Sequence, residues 1–288
     1  MRIIAVLIVG LITQAAARPL EEMVASERAF AATTAEVGVR AGFLTFFADN
    51  AVAIRPGGSA DTTTLISAKD DLRARPPDLL PLSAVLTWEP LTGGVAADGS
   101  VGWLTGPYLR QSRAGRGLLG QGAYFSVWKR QADGTWRVFL DEGVPLPAAW
   151  RDTNGFREAP EPDAGLTGTP GESVAAAEAE ISHGDLAWSA RLASGVRLHR
   201  AGLMPVTGRD AVIAWRRTAW TSADFTSIRA DTATSNDLAF AIGGYTATPA
   251  SARAGAAASN EHGTWVRVWR RDAARHWRIV FETSKPAP

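Results

Sequence analysis

The chain has 288 residues, of which 46% are hydrophobic, with 30 Lys and Arg against 29 Asp and Glu. A length near that of two ordinary domains and this apolar content predict two hydrophobic cores and exclude extensive disorder. A net charge this close to zero gives no field that would attract nucleic acid or an anionic membrane. The lack of cysteine excludes disulfides, thiolate metal sites and a cysteine nucleophile.

The N-terminus carries the pattern of a secretory signal. Arg2 precedes an apolar run from Ile3 to Ile12, and Ala15-Ala16-Ala17 forms a small-residue cleavage site. The run is shorter than the stretch of about 18 apolar residues that spans a bilayer, which disfavours an uncleaved anchor. We therefore expect residues 1–17 to be removed as a signal peptide. The mature protein is expected to be periplasmic or secreted, with no membrane attachment.

The first part of the chain predicts helices followed by strands. Apolar positions at three- and four-residue spacing from Leu20 to Thr34 indicate one helix, and residues 39–47 indicate a second. A short strand at 51–55 and a helix at 64–73 are expected next. β-branched and aromatic residues then predict strands near 83–92, 100–111, 121–131 and 135–142.

The second part predicts the same order of elements. A helix at 173–194, broken near Gly184, precedes a strand at 195–200 and a helix at 210–221. Four strands are then expected near 225–233, 237–248, 262–271 and 276–283. The segment between the two parts is rich in proline and glycine and predicts a linker, in which Trp150 is apolar enough to dock on a domain.

One sequence pattern occurs twice. Val127-Trp128-Lys129-Arg130 is followed by Trp136-Arg137, and Val268-Trp269-Arg270-Arg271 is followed at the same spacing by Trp277-Arg278. The distance between the copies is far longer than a solenoid repeat, which indicates duplication of a whole fold. We therefore predict a first domain at 18–145, a linker at 146–171 and a second domain at 172–288.

Four motifs carry a resemblance to a known family. They are Ser26-Glu27-Arg28-Ala29-Phe30, Phe47-Ala48-Asp49-Asn50-Ala51-Val52, the run from Gly122 to Arg130 with Gly134-Thr135-Trp136-Arg137-Val138, and Gly208-Arg209-Asp210-Ala211-Val212. With these motifs the chain resembles the SnoaL-like and nuclear transport factor 2-like superfamily, in two tandem copies. The resemblance implies an α+β fold of cone-shaped, cystatin-like domains, each with N-terminal helices packed on a curved antiparallel sheet around an apolar pocket. Its members include isomerases, dehydratases, cyclases and binding-only proteins, so it implies no single reaction.

Four aromatic residues are candidates for ligand binding. Trp128 and Trp269 occupy equivalent strand positions, where they either line a pocket or pack within the sheet. Tyr108 and Tyr245 are also equivalent, and a buried phenol either donates a hydrogen bond to a ligand carbonyl or satisfies a backbone group. Strand alternation places Tyr124 on the same face as Trp128, but alternation does not tell which face is concave.

Three carboxylates are candidates for burial. Asp141 and Glu282 end equivalent strands, where a carboxylate shielded from water would have a raised pKa and act as a base; a solvated strand end is the alternative. Glu27 lies in the apolar stripe of the first helix. It is either buried with Arg55 or Arg137 as its partner, or solvated on a rotated helix.

All four histidines lie in the second part: His183, His199, His262 and His276. His199 is the best candidate for a base, with Asp185 as its orienting carboxylate; a partly exposed strand histidine is the alternative. If one copy alone retains a site, we expect it to be the second. No two histidines have metal-ligand spacing, so no metal site is expected.

Gly115-Arg116-Gly117-Leu118-Leu119-Gly120 matches the dinucleotide fingerprint G-x-G-x-x-G. The fingerprint requires a strand, a turn and then a helix, whereas here a strand rich in aromatic residues follows. A hairpin loop is therefore the better interpretation.

Two functions remain open from the sequence. The leading hypothesis is an exported protein whose apolar pockets bind a small hydrophobic molecule, or convert it by proton transfer without a cofactor, as an isomerase, cyclase or dehydratase. The alternative is a non-catalytic module whose sheet faces bind protein. In either case the two domains are expected to form an intramolecular pseudo-dimer, with nucleic acid not a partner.

Overall fold

The computed structural model describes residues 18–288 except 81, 115–116, 153, 166, 183 and 251–259. The predicted signal at 1–17, His183 and the first two residues of the G-x-G-x-x-G motif therefore lie outside the described residues. Within the described ranges, no helix is long and apolar enough to cross a membrane.

The first half of the chain is an α+β cone in which helices pack into a curved sheet. Its helices are α1 (Pro19–Val37), α2 (Val39–Phe46) and α3 (Ala68–Ala74). Its strands are β1 (Val52–Arg55), β2 (Thr64–Ser67), β3 (Ala84–Trp88), β4 (Thr92–Val95), β5 (Val101–Ser112), β6 (Leu118–Arg130) and β7 (Trp136–Pro145). β5, β6 and β7 are consecutive antiparallel neighbours, and both β3 and β4 pair with β5.

Local sequence accounts for the helices of this half. Pro19 opens α1, where its missing N–H costs no hydrogen bond, and the Ser67 hydroxyl caps α3 by accepting from the backbone N–H of Asp70. The buried positions of α1 form one stripe at helical spacing that faces the sheet: Leu20, Met23, Val24, Glu27, Phe30 and Thr34. These side chains join Phe47, Leu104 and Trp128 in the core of the first cone.

The second half repeats this layout. Its helices are α4 (Val174–Ile181), α5 (Asp185–Arg191) and α6 (Arg209–Ala219). Its strands are β9 (Leu192–Arg200), β10 (Leu203–Thr207), β11 (Trp220–Thr232), β12 (Leu238–Pro249), β13 (Glu261–Arg271) and β14 (Trp277–Pro286), which form one sheet in the order β10-β9-β14-β13-β12-β11. The core of this cone is rich in tryptophan: Trp188, Trp220, Trp265, Trp269 and Trp277.

The register of the hairpins shows which residues are equivalent. Ser126 on β6 faces Asp141 on β7, and Arg267 on β13 faces Glu282 on β14. Both hairpins carry a register shift directly before the repeated tryptophan. The two halves therefore share one α+β layout, in which helices pack on a curved sheet.

The two sheets contribute to one apolar cluster. Phe125 of β6 and Phe281 of β14 stack with ring centroids 4.6 Å apart, and Trp103 of β5 lies 5.3 Å from the ring of Phe281. Phe139 and Phe240 meet at 5.4 Å within the same cluster. One face of each sheet is therefore covered by side chains from the other sheet.

The connecting segment, residues 146–173, contacts both halves of the chain at several of its described residues. Its short strand β8 (Arg157–Glu158) pairs with β4, and Trp150 lies with its ring centroid 5.3 Å from that of His199. Further on, Asp163 pairs with Arg209 at 2.8 Å. The backbone N–H of Gly165 donates to Asp272, and a Cβ at Gly165 would overlap the guanidinium of Arg278.

The sequence-based boundaries are wrong in several places. Residues 64–67 form β2, paired with β1, and only the following residues form a helix, because Ser67 caps a helix that starts at Ala68. The expected strand at 83–92 is divided into β3 and the start of β4. The helix expected at 173–194 ends at Arg191, because Leu192 begins β9, and β10, which pairs with β9, was not predicted.

Candidate functional site

An apolar cavity of about 130 Å³ lies inside the first cone. Helix α2, the inner face of the sheet and the later part of β7 border it. Asp141 lies within β7 and not at its end, where the sequence placed it. The cavity is lined by Phe43, Leu86, Trp88, Tyr108, Tyr124, Asp141 and Gly143. An apolar cavity of roughly 150 Å³ holds one benzene ring, so this space fits a single small ring.

Tyr108 reaches the cavity because Gly122 lies beneath its ring. The two residues face each other across β5 and β6, and a Cβ at Gly122 would overlap both the Tyr108 ring and the carbonyl oxygen of Val144. Tyr108 is half-buried, and burial raises the pKa of its phenol. The phenol therefore stays protonated and available as a hydrogen-bond donor.

Tyr124 is the most isolated polar group of the cavity. Its ring is buried and its hydroxyl has no hydrogen-bond partner among the described residues. Burial raises the pKa of this phenol well above its usual value, and the nearby carboxyls of Glu27 and Asp141 raise it further. An unpartnered buried hydroxyl is costly, so an acceptor atom that reached this hydroxyl would gain a hydrogen bond that the protein does not supply.

Asp141 contributes an acid to the same cavity. The Asp141 side chain is half-buried, and no hydrogen bond or ion pair to its carboxyl occurs within the described residues. Burial raises the pKa of Asp141 well above its usual value, and the neighbouring Glu27 and Glu142 carboxyls raise it further. The cavity thus combines an unpaired acid with an unpaired phenol in apolar surroundings.

Glu27 is fully buried close to Tyr124 and Asp141. Of the two alternatives from its position in α1, burial and not solvation is therefore correct. Neither Arg55 nor Arg137 is its partner. Instead its carboxyl accepts from the indoles of Trp88 at 2.6 Å and Trp128 at 2.7 Å, and from the Ser126 hydroxyl at 2.6 Å. Burial raises the pKa of Glu27, although these donors oppose the effect.

The D141N variant is expected to flatten the dependence of stability on pH. The pKa of Asp141 is higher in the folded than in the unfolded state, so the folded state binds more protons, and the free energy of unfolding falls as pH rises from about 4 through the folded pKa. Glu142, whose pKa burial raises to about 7, acts in the same direction. In urea denaturation between pH 5 and 8, the wild type should lose more stability than D141N.

D133N provides the control for this comparison, because Asp133 lies in an exposed turn where hydrogen bonds from Thr135 lower its pKa. Its stability should run parallel to that of the wild type over the same pH range. A D141N slope equal to that of the wild type would contradict the assignment of a raised Asp141 pKa.

In the second cone, larger side chains stand at the positions equivalent to those around the cavity of the first cone. Arg267 stands at the position of Ser126, and its guanidinium donates to Glu178 at 2.8 Å and to Glu282 at 2.7 Å. The guanidinium also lies over the ring of Trp265, which replaces Tyr124. Bulky side chains and a buried ion triad therefore occupy the space that the first cone leaves to a cavity.

The candidate residues of the second half are already paired. The Tyr245 hydroxyl donates to Glu261 at 2.8 Å and accepts from Arg200 at 3.1 Å. The indole of Trp269 donates to Glu178, as the indole of Trp128 does to Glu27. These contacts give both tryptophans a place in the cores rather than on the cavity wall.

His199 and Asp185 are not brought together. His199 is buried against Phe281 and Trp150, and its Nδ1 lies 3.3 Å from the Thr105 hydroxyl. Burial lowers its pKa well below the usual value, so the ring is neutral. Asp185 pairs with Arg216 at 2.8 Å. The open cavity thus lies in the first half, which has no histidine.

The sequence missed Tyr124, Trp88 and Phe43 as cavity residues. Tyr124 was placed correctly on the face of Trp128, yet alternation could not identify that face as the concave one. Trp88 lies in the short strand β3, where it faces Tyr108 as Phe225 faces Tyr245 in the second half, and no sequence motif singled it out. No group of three or more potential metal-ligating side chains occurs among the described residues.

A larger groove of about 490 Å³ crosses β3, β5 and the connecting segment. Among its described lining residues the single acid is Glu89, which pairs with Arg28 at 2.7 Å. The groove therefore lacks the unpaired acid that distinguishes the smaller cavity.

No family profile and no curated protein sequence matches the chain. Solved structures do match. In fold, the chain resembles the SnoaL-like and nuclear transport factor 2-like proteins. A ketosteroid isomerase-like protein from Erwinia carotovora atroseptica is 18% identical, with a TM-score of 0.31 over 40% of this chain and 88% of that protein.

Two further structures show the same kind of likeness. An NTF2-like protein of unknown function from Burkholderia pseudomallei is 18% identical, with a TM-score of 0.27 over 35% of this chain and 77% of that protein. A conserved protein from Planctomyces limnophilus is 14% identical, with a TM-score of 0.33 over 40% of this chain and 94% of that protein. These likenesses concern the fold alone.

Proposed function

We propose that the first cone binds a small, largely apolar molecule that carries an acceptor oxygen, such as a ketone. One observation carries this proposal: the unpartnered hydroxyl of Tyr124 and the unpaired carboxyl of Asp141 line the same apolar cavity. A ligand carbonyl would give the Tyr124 hydroxyl the partner that the protein does not supply. The rings of Phe43 and Trp88 would cover the apolar part of the ligand.

The same two groups suit proton transfer without a cofactor. Tyr124 keeps its proton because its pKa is raised, so it can stabilise negative charge that develops on a carbonyl oxygen. Asp141 in its ionised form can take a proton from the carbon next to that carbonyl and return it elsewhere on the same molecule. A raised pKa makes this carboxylate a stronger base than a solvated one. Isomerisation, cyclisation and dehydration all use this step, and its rate would rise with pH through the Asp141 pKa.

The alternative function, protein binding by the sheet faces, has less support. One face of each sheet is buried in the cluster around Phe125 and Phe281. The inner faces line the two cones. The large faces on which such a module would depend are therefore occupied within the chain.

We further propose that the two halves act as an intramolecular pair, with domains at 18–145 and 172–288 joined by the segment between them. The shared aromatic cluster supports this pairing. Export to the periplasm or medium, with loss of residues 1–17, is part of the same proposal and rests on the N-terminal sequence pattern. The mass of the mature protein tests it.

Titration calorimetry with 4-oxo-4-phenylbutanamide, a neutral aromatic ketone, tests ligand binding. Y124F is expected to weaken binding by about threefold to tenfold, the value of one hydrogen bond. The folded protein should be no less stable than the wild type, because the lost hydroxyl has no partner among the described residues. D141N should abolish any conversion of a bound ketone.

Y245F provides the matched control, since its hydroxyl is hydrogen-bonded in the filled second cone. It should lose stability and leave ketone affinity unchanged. If the wild type binds no small ketone, or if Y124F and Y245F weaken binding equally, the cavity is not the binding site.

A further inference from the structure

A second cavity shares part of its wall with the first. This cleft, of about 400 Å³, lies between α2, α3, β1, β2 and the end of β7. It shares Phe43, Asp141 and Gly143 with the inner cavity. Asp141 therefore lies in the wall of both spaces, and a ligand that reached from one to the other would pass beside its carboxyl.

The cleft has an apolar floor and a charged rim. Phe47, Ile54, Ile66 and Leu72 line it from the helices and the β1–β2 hairpin. The cleft is lined by three cations, Arg55, Arg75 and Lys285, and by three acids, Asp71, Asp141 and Glu142. Arg55 and Arg75 share one carboxylate, that of Asp71, with Arg55 at 3.0 Å.

Lys285 is the third cation of the rim and comes from the second half of the chain. It extends from the end of β14, and its Nζ lies 4.0 Å from the Glu142 carboxyl on β7, a long ion pair with a half-exposed lysine. Burial raises the pKa of Glu142 to about 7, so this carboxyl is partly neutral near neutral pH. Lys285 is therefore incompletely neutralised and faces the cleft.

We propose that the ligand of the first cone is an amphipathic keto acid, whose ring occupies the inner cavity and whose carboxylate lies in the cleft against Lys285. This inference rests on the proposed function and adds the class of ligand. The ketone stands between the two ends, beside Tyr124 and Asp141. The second cone, itself filled, thus completes the site of the first by supplying a residue that determines specificity.

Calorimetry with a matched pair of probes tests this assignment: 4-oxo-4-phenylbutanoate and the neutral 4-oxo-4-phenylbutanamide. The wild type should bind the carboxylate about threefold to tenfold more tightly than the amide, and added salt should reduce the difference. K285M should remove the preference for the carboxylate over the amide. E142Q, which removes the competing carboxyl, should strengthen the preference.

R73M is the control for removal of a surface cation, because Arg73 lies on α3 outside the cleft and pairs with the exposed Asp70. It should retain the full preference for the carboxylate. Equal affinity of the wild type for both probes, or an undiminished preference in K285M, would overturn the keto-acid assignment while the binding function stands. Failure of both probes to bind would instead overturn the proposed function.

Discussion

The R267M variant is expected to lose about 3–5 kcal/mol of unfolding free energy near pH 8. Arg267 is fully buried and is the cation that bonds to both Glu178 and Glu282. Methionine fills a similar volume but leaves two carboxyls in the core of the second cone without that charge. Urea denaturation followed by tryptophan fluorescence measures the loss.

The size of this loss should depend on pH, because burial raises the pKa of Glu178 and protonation of Glu178 removes part of the buried charge. The difference between R267M and the wild type should therefore be smaller at pH 5 than at pH 8. S126A is the matched control at the equivalent position of the first cone, where one hydrogen bond to Glu27 is lost at a cost of about 1–2 kcal/mol. A loss in R267M no larger than in S126A would show that the triad does not stabilise the fold.

The F281A variant is expected to lose about 3–5 kcal/mol of unfolding free energy. Phe281 is fully buried, stacks on Phe125 and touches Trp103 and His199, so its truncation leaves a cavity in the cluster that both sheets share. Because the cluster joins the two halves, both should unfold in one transition at lower urea.

L186A supplies the comparison, since Leu186 is 84% exposed and its truncation should change stability by less than about 0.5 kcal/mol. If F281A destabilises the second half alone, with the first half unfolding at its original urea concentration, the two sheets do not share a common core.

Much of the fold can be predicted from the sequence, because the duplicated hairpin motif is still recognisable in both halves. Trp128 and Trp269, each followed by a second tryptophan at equal spacing, mark the same hairpin in both halves, and the register of the strands agrees with that alignment. The prediction of a helix at 64–73 was wrong for residues 64–67, which form β2. Residues 64–67 carry no alternation of their own, and their strand exists because β1 pairs with them.

The site was harder to predict, because the chemistry of Asp141 depends on the lack of a cation beside its carboxyl. Asp141 and Glu282 are equivalent in sequence, yet only Asp141 lacks a cation beside it. The difference arises at Ser126 and Arg267, which look like ordinary polar residues of alternating strands. The four histidines led us to predict the site in the second half. His199, however, is enclosed by aromatic rings and a threonine between the sheets.

The hydrogen bonds and ion pair of the connecting segment affect whether two chains can exchange domains. Two like domains on one chain invite exchange, in which the first domain of one molecule pairs with the second domain of another. Such exchange needs slack in the connection. Here β8 is hydrogen-bonded to β4, and Asp163 and Gly165 are held by the second half. Swapping partners would break these bonds, so the connection favours a closed monomer over linked chains.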